Sequence, residues 1–198
     1  MNILSHLRKS LRTHRQQLSR EAVTDASVAV AKKILLLSEF QKAKHTAFYA
    51  AQENEIDLSI IFHKALALNQ SLYLPVFSEQ NTRCLSFYRI DRQTTYVKNQ
   101  FSIDEPVINH EKIMPPEQLD VIFLPLVAFD AQCHRVGRGA GCYDRCLGFT
   151  LQTPKNKRPI LIGLAYEFQK VEKLIPESWD VPMDYVATEE QLYQCRPR

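Results

Sequence analysis

Apolar residues at Ile3, Leu4, Leu7, Leu11 and Leu18 fall at the spacing of one helical face, so residues 2–18 are expected to form an amphipathic helix. Arg8, Arg12 and Arg15 repeat every three or four positions on the other face and project together, as a solvated basic surface or as an arm reaching for phosphate. Ser19 is placed to cap a second helix running to about Leu37, with Val23, Ala26, Val30, Ile34 and Leu37 as its buried stripe. The run from His45 to Ala50 reads as a short strand and residues 52–55 as a polar turn. A helix capped by Asp57 then runs from Leu58 to about Leu68, with Asn69 as its stop. Ser71–Phe77 reads as a strand, and residues 83–90 alternate as a half-buried one.

Residues 91–118 are polar and carry Pro106, Pro115 and Pro116; they are expected to be an irregular connection that could wall a site. Val121-Ile122-Phe123-Leu124 opens a strand expected over 121–127 and buried on both faces, as in parallel sheets. A helix is expected over 144–151, an exposed basic loop over 153–158 and an apolar strand over 159–166. Residues 167–175 look amphipathic, 176–182 form a loop carrying the only Trp, and 183–188 are expected as the last strand. This alternation predicts an α/β fold, a Rossmann-like three-layer sandwich around a mainly parallel open sheet. Ligands in such sheets collect beyond the carboxyl ends of the strands, where the 52–55 turn and the loops after residues 127 and 175 could meet.

With 198 residues the chain fits a single domain, here 1–198, and is long enough to bury a core without staples. A net charge of +3 is too small to argue for nucleic acid, but residues 1–20 hold Arg8, Lys9, Arg12, Arg15 and Arg20 with no acid among them. No signal-peptide or membrane-spanning pattern is visible, and five irregularly spaced cysteines are expected as reduced thiols in the cytoplasm.

The chemistry concentrates after the buried strand. Gly137, Gly139 and Gly141 alternate, Arg135 and Arg138 are interleaved, and Tyr143-Asp144-Arg145 follows. Glycines at every second position bring backbone N–H groups to the surface with no Cβ to hold a ligand off. A strand leading through such a loop into a helix suits phosphate, with the arginines adding fork-shaped donors. Asp144 stands where a carboxylate could hold the Mg²⁺ that accompanies a nucleotide. A tight turn would also explain the glycines. Zinc on Cys133, His134, Cys142 and Cys146 lacks the paired Cys-x-x-Cys spacing, and no base marks a cysteine as nucleophile. Glu55 reads equally as a ligand-facing carboxylate or as a helix-start acid.

The run PLVAFD…RVGRGAGCYDRCL resembles the signature of the 5-formyltetrahydrofolate cyclo-ligases, also called methenyltetrahydrofolate synthetases. The likeness continues through RKSLR, YAAQENEID, YLPVF, LSFYRI, DEP, IGLAYEFQ and PESWDVPMDYVATE, spanning nearly the whole chain. It implies an enzyme that uses ATP and Mg²⁺ to convert 5-formyltetrahydrofolate to 5,10-methenyltetrahydrofolate, releasing ADP and phosphate. The chain would work as a monomer or weak homodimer, without nucleic acid or membrane. Arg8, Lys9 and Arg12 are implied as phosphate contacts, so the resemblance favours the arm over the solvated surface. Arg135, Val136, Gly137, Arg138, Gly139, Ala140, Gly141, Cys142 and Tyr143 would cradle ATP, with Arg138–Cys142 also touching folate. Arg138 and Asp144 are the implied catalytic pair, Asp144 and Asp180 the Mg²⁺ ligands, and Glu55 with the backbone near Ala50 part of the folate pocket. Phe87 and Phe101 either pack on folate rings or belong to the core.

The chain departs from the family pattern at four places. Arg8, with Lys9 beside it, stands where Lys is usual, and Cys133 where a turn glycine is common. Ala140 replaces Gly or Lys, and Cys142 replaces an aromatic residue. Two other readings stay open: a non-catalytic folate-binding relative, and an α/β enzyme acting on sugar phosphates or acyl-CoA.

Overall fold

A computed structural model describes residues 3–77, 85–99, 103–107 and 113–195. Helices α1 (Ile3–Gln16), α2 (Arg20–Ile34) and α3 (Ser38–Lys42) lead into β1 (His45–Ala47), then α4 (Ser59–Ala67), β2 (Ser71–Phe77) and β3 (Leu85–Ile90). The short strands β4 (Tyr96–Lys98), β5 (Asp104–Pro106) and β6 (Ile113–Met114) precede β7 (Val121–Pro125), β8 (Ala128–Phe129) and β9 (Arg135–Val136). Helix α5 (Cys142–Leu147), β10 (Ile160–Leu164), β11 (Tyr185–Ala187) and β12 (Leu192–Gln194) complete the order.

The main sheet runs β12-β11-β10-β7-β1-β2-β3-β6. The five central strands from β11 to β2 are parallel, and antiparallel β12 and β3–β6 close its two sides. Alternation along the strands divides the core. Phe48, Leu72, Val121, Phe123, Ile162 and Leu164 face α2 and α4, burying Val30, Ile34 and Ile61. Ala47, Tyr73, Phe87, Ile122, Leu124 and Leu161 face the other way, onto Cys146 and Leu147 of α5. Two cores on one sheet make the three layers. No described helix is long and apolar enough to cross a membrane.

Local signals placed several elements where the sequence put them. Ser19 caps α2 by accepting a hydrogen bond from Ala22 N–H, and Asn69 ends α4 in the left-handed region at φ 57°. Leu7 and Leu11 of α1 pack on Ala128, Val136 and Leu174.

Four expectations are corrected. Residues 91–118 are not wholly irregular: β4 pairs with β5, and β6 joins the sheet beside β3. Residues 167–175 form only a short 3-10 turn at Glu167–Gln169. Beyond it Val171 N–H bonds Phe129 C=O and Leu174 N–H bonds the Asp130 carboxylate, so these donors serve the β8–β9 segment instead of a helix. The last strand is β12, beyond the expected 183–188. Cys133 and Cys195 are joined in a disulfide, contrary to the expectation of reduced thiols. A left-handed turn at Cys133 (φ 63°) and the return of β12 bring their Cα atoms to 5.9 Å, within disulfide reach.

Candidate active site

Beyond the carboxyl ends of β1, β2 and β7 lies a cavity of about 200 Å³. Tyr49, Ala50, Glu55, Leu74 and Pro75 form one side and residues 137–144 the other. Ile103, Asp104 and Glu105 of the β4–β5 hairpin supply an outer wall. Glu105 holds that wall in place, accepting from Phe77 N–H at 2.9 Å and from Asn99 Nδ2 at 2.7 Å.

The glycine loop runs from β9 into α5. Gly139 (φ 116°) and Gly141 (φ 63°) take backbone conformations that side chains resist, and a Cβ at Gly137 or Gly139 would meet nothing within 4 Å. The loop thus turns bare backbone to open space. Arg145 Nη2 pins it by donating to Ala140 C=O at 2.7 Å. Arg135 Nη1 donates to Val181 C=O and its Nη2 to Asp144 Oδ1 at 2.6 Å. Burial pushes the Tyr143 phenol far above its usual range, reinforced by the Glu55 charge, so it stays neutral.

Helix α1 lies against this loop. Arg8 Nε donates to Gly137 C=O at 2.8 Å, whereas Lys9 sits on an exposed face among Ser5, His6 and Thr13. Arg8, and not Lys9, is the cation brought to the loop. Arg12 forms a two-pronged pair with Glu53, at 2.6 and 3.0 Å. That hydrogen bond raises the Arg12 pKa and holds the Glu53 carboxyl below the usual carboxylate range.

Glu55 is buried, with its side chain 6% exposed. Its Oε2 accepts from Gln52 N–H at 3.0 Å and its Oε1 from Arg138 Nη2 at 3.0 Å. The turn that delivers it has Glu53 and Asn54 in the left-handed region, at φ 51° and 58°. Asn54 Nδ2 donates to the Arg15 and Leu18 carbonyls, and Tyr166 O–H to Asn54 C=O, so the turn is fixed to the end of α1.

Asp144 lines the cavity and its Oδ1 accepts from Val181 N–H at 3.1 Å. Asp180, the residue before Val181, does not line the cavity, and its Oδ2 accepts from Glu177 N–H at 2.9 Å. Phe87 is fully buried in the core and does not line the cavity; Phe101 lies outside the described residues. The sequence did not single out Glu53 or the buried position of Arg15. The signals available were the acids flanking Asn54 and the three-residue step from Arg12 to Arg15.

A sequence model described as the 5-formyltetrahydrofolate cyclo-ligase family matches residues 2–189. The chain belongs to that family. It is 38% identical to the 5-formyltetrahydrofolate cyclo-ligase of Haemophilus influenzae over 89% of this chain and 92% of that protein. Identity with the Escherichia coli K12 protein of the same name is 29%, over 93% of this chain and 99% of the relative. Among solved structures, the NMR structure of Aquifex aeolicus 5,10-methenyltetrahydrofolate synthetase superposes with a TM-score of 0.81 at 33% identity, covering 100% of this chain and 95% of that one. The cyclo-ligase family membership and the Rossmann-like sandwich therefore agree with the fold seen here.

Proposed function

We propose that this chain converts 5-formyltetrahydrofolate to 5,10-methenyltetrahydrofolate at the expense of ATP, in the cytoplasm, with the single domain 1–198 carrying both substrates. One observation carries the reading: a single cavity has a buried carboxylate, Glu55, on one side and bare glycine backbone with Arg135 and Arg138 on the other. The first end suits the N–H edge of a pterin, and the second a triphosphate.

In this reading the backbone from Val136 through Gly137, Gly139, Ala140, Gly141, Cys142 and Tyr143 binds ATP, and Arg8, Arg135 and Arg138 balance its charge. Arg12 contributes from its pair with Glu53, and Lys9 serves the same field from outside the cavity. The formyl oxygen attacks the γ-phosphorus and ADP leaves. The neighbouring folate nitrogen then attacks the activated carbon, closing the ring as phosphate departs. No side-chain nucleophile is needed. Ala50, Glu55 and residues 138–142 orient the folate, and Arg138 faces the transferring group.

Asp144 and Asp180 would hold Mg²⁺. Asp144 Oδ1 is engaged by Arg135 and Val181, while Oδ2 makes no hydrogen bond among the described residues. Mg²⁺ keeps several waters and phosphate oxygens among its ligands, so one or two carboxylates at the mouth of the phosphate loop are enough for it, with Asp144 lining the cavity and Asp180 one residue before its partner Val181. When bound it supplies positive charge to the nucleotide phosphates. The test is the near-UV absorbance of the methenyl product after adding 5-formyltetrahydrofolate, ATP and Mg²⁺. No signal at high enzyme concentration would refute the proposal.

A further inference from the structure

Arg15 is an unusual residue for the end of an amphipathic helix. Its side chain is 1% exposed, and it lies directly behind the cavity wall. Nε donates to Glu53 C=O at 3.0 Å and Nη1 reaches Leu126 C=O at 3.4 Å, so two fixed carbonyls hold the guanidinium. Nη2 alone has no hydrogen-bond partner, and it is the one buried side-chain polar atom of the described residues in that condition. It points between two carboxylates, 3.4 Å from Glu55 Oε1 and 3.6 Å from Glu53 Oε2. A buried arginine costs much desolvation unless its charge is matched, and burial does pull its pKa down while Glu55 draws it up.

Arg138 Nη2 approaches the same Glu55 oxygen at 3.0 Å and lies 3.9 Å from Glu53 Oε2, but it differs from Arg15 in what governs movement. Its side chain is 36% exposed, and it stands between Gly137 and Gly139 in the loop. Glu55 therefore has one counter-ion anchored in the core and one on a loop facing the cavity.

We infer that Arg15 is a positioning residue: it is the permanent counter-ion of Glu55, and it lets Arg138 move from Glu55 in the empty site to the phosphates when nucleotide enters. This rests on the cyclo-ligase reading above. With nucleotide bound, Arg138 turns to the phosphates and the Glu55 oxygen it covered is exposed to the pterin. Arg15 then keeps the carboxylate charged and in place, Nη2 closing the gap it holds open in the free site. The two substrates thereby favour one another's binding, because each recruits one partner of the same ion pair.

The experiment measures binding of 5-formyltetrahydrofolate by calorimetry, with and without a non-hydrolysable ATP analogue and Mg²⁺, and steady-state constants for wild type, Arg15→Lys, Arg15→Gln, Glu55→Gln and Arg15→Lys/Glu55→Gln. In wild type the analogue is expected to tighten folate binding about ten-fold, within the usual range of coupling between sites. Arg15→Lys is expected to raise the folate KM roughly ten-fold, as loss of an outer-layer partner commonly does, with the ATP KM much less affected. Arg15→Gln should raise it further. In the Glu55→Gln background Arg15→Lys should add nothing, because it acts through the carboxylate that is gone.

Effects that multiply in the double variant, or Arg15 variants that lower Tm but leave the folate KM unchanged, would reduce Arg15 to a structural role and overturn the inference. Should neither Arg15 variant fold, the wild-type titration decides, since folate affinity indifferent to the nucleotide analogue rules out the exchange. Wild-type protein that forms no methenyl product would instead refute the reaction itself.

Discussion

Replacing Asp144 by Asn removes one negative charge and almost none of the side chain's volume. In the wild type Asp144 Oδ1 accepts from Arg135 Nη2 at 2.6 Å and from Val181 N–H at 3.1 Å. The Arg135 side chain is only 4% exposed and that of Asp144 23%, so the arginine depends on this partner more than the aspartate does. Stripping one member from a fully buried ion pair costs about 3–5 kcal/mol. Here the amide oxygen still accepts a hydrogen bond, Arg135 keeps Val181 C=O, and water reaches Asp144. About 1–2 kcal/mol is the expected loss after that screening. For a chain of this size it corresponds to a fall in Tm of roughly 2–8 °C, leaving the variant folded at 25 °C. Turnover should suffer far more. The change neutralises one of two carboxylates proposed to hold Mg²⁺, and losing a preorganised charge of this kind typically lowers kcat by about 10²–10³. Thermal melts and the methenyl absorbance assay on one preparation separate the two effects. A folded Asp144→Asn protein with a kcat within about three-fold of wild type would refute the metal assignment.

Three further outcomes are expected. Gly163→Ala adds a Cβ that collides with Met183 Sδ and lies 2.7 Å from Leu126 Cδ2, both buried; overpacking of about 1–3 kcal/mol should lower Tm without altering substrate KM values, and an unchanged Tm would show the core has room. Glu53 has a depressed folded pKa through its Arg12 hydrogen bond, so its contribution is present above the unfolded value near pH 4.3 and is lost as pH falls through the folded one. The Tm gap between wild type and Glu53→Gln, about 1 kcal/mol or less at pH 7 given the pair's exposure, should close below about pH 4; a gap that persists in acid would mean the pair is not its source. The Cys133–Cys195 bridge closes a loop with a sequence separation of 62, for which chain entropy gives about 4 kcal/mol. Reduction with a dithiol or Cys195→Ser should therefore lower Tm by roughly 8–16 °C, and equal melts with and without reductant would argue against the bridge.

Elements whose stability is local were legible from single residues. Ser19 caps α2 as its neighbours suggest, Asn69 stops α4, and the apolar run at 121–125 is the central strand. The pieces missed were those with too few residues to show a period. Strands β6, β8 and β9 have two residues each and exist because a neighbouring strand offers partners. The amphipathic look of 167–175 misled for a related reason: its donors are better satisfied by Phe129 and Asp130, far off in sequence, than by a helix of its own. In the site, the glycine loop, Glu55 and Asp144 were visible as residue types, whereas the Arg8–Gly137 contact, the Arg12–Glu53 pair and the Cys133–Cys195 bridge join segments that nothing local connects.

By itself, then, the order of residues determined the helix–strand alternation, the parallel sheet it requires and a glycine loop of bare backbone, because periodicity, caps and glycine freedom act within a few residues. Tertiary structure alone decided which charges meet. Arg8 and Lys9 are adjacent and chemically alike, yet a turn of about 100° along α1 sends one to the loop and the other to solvent. Arg15, on the same basic row, is sealed behind Glu55 instead of facing water. Burial and the pairing of distant charges depend on how whole elements pack, and no window of sequence contains that information.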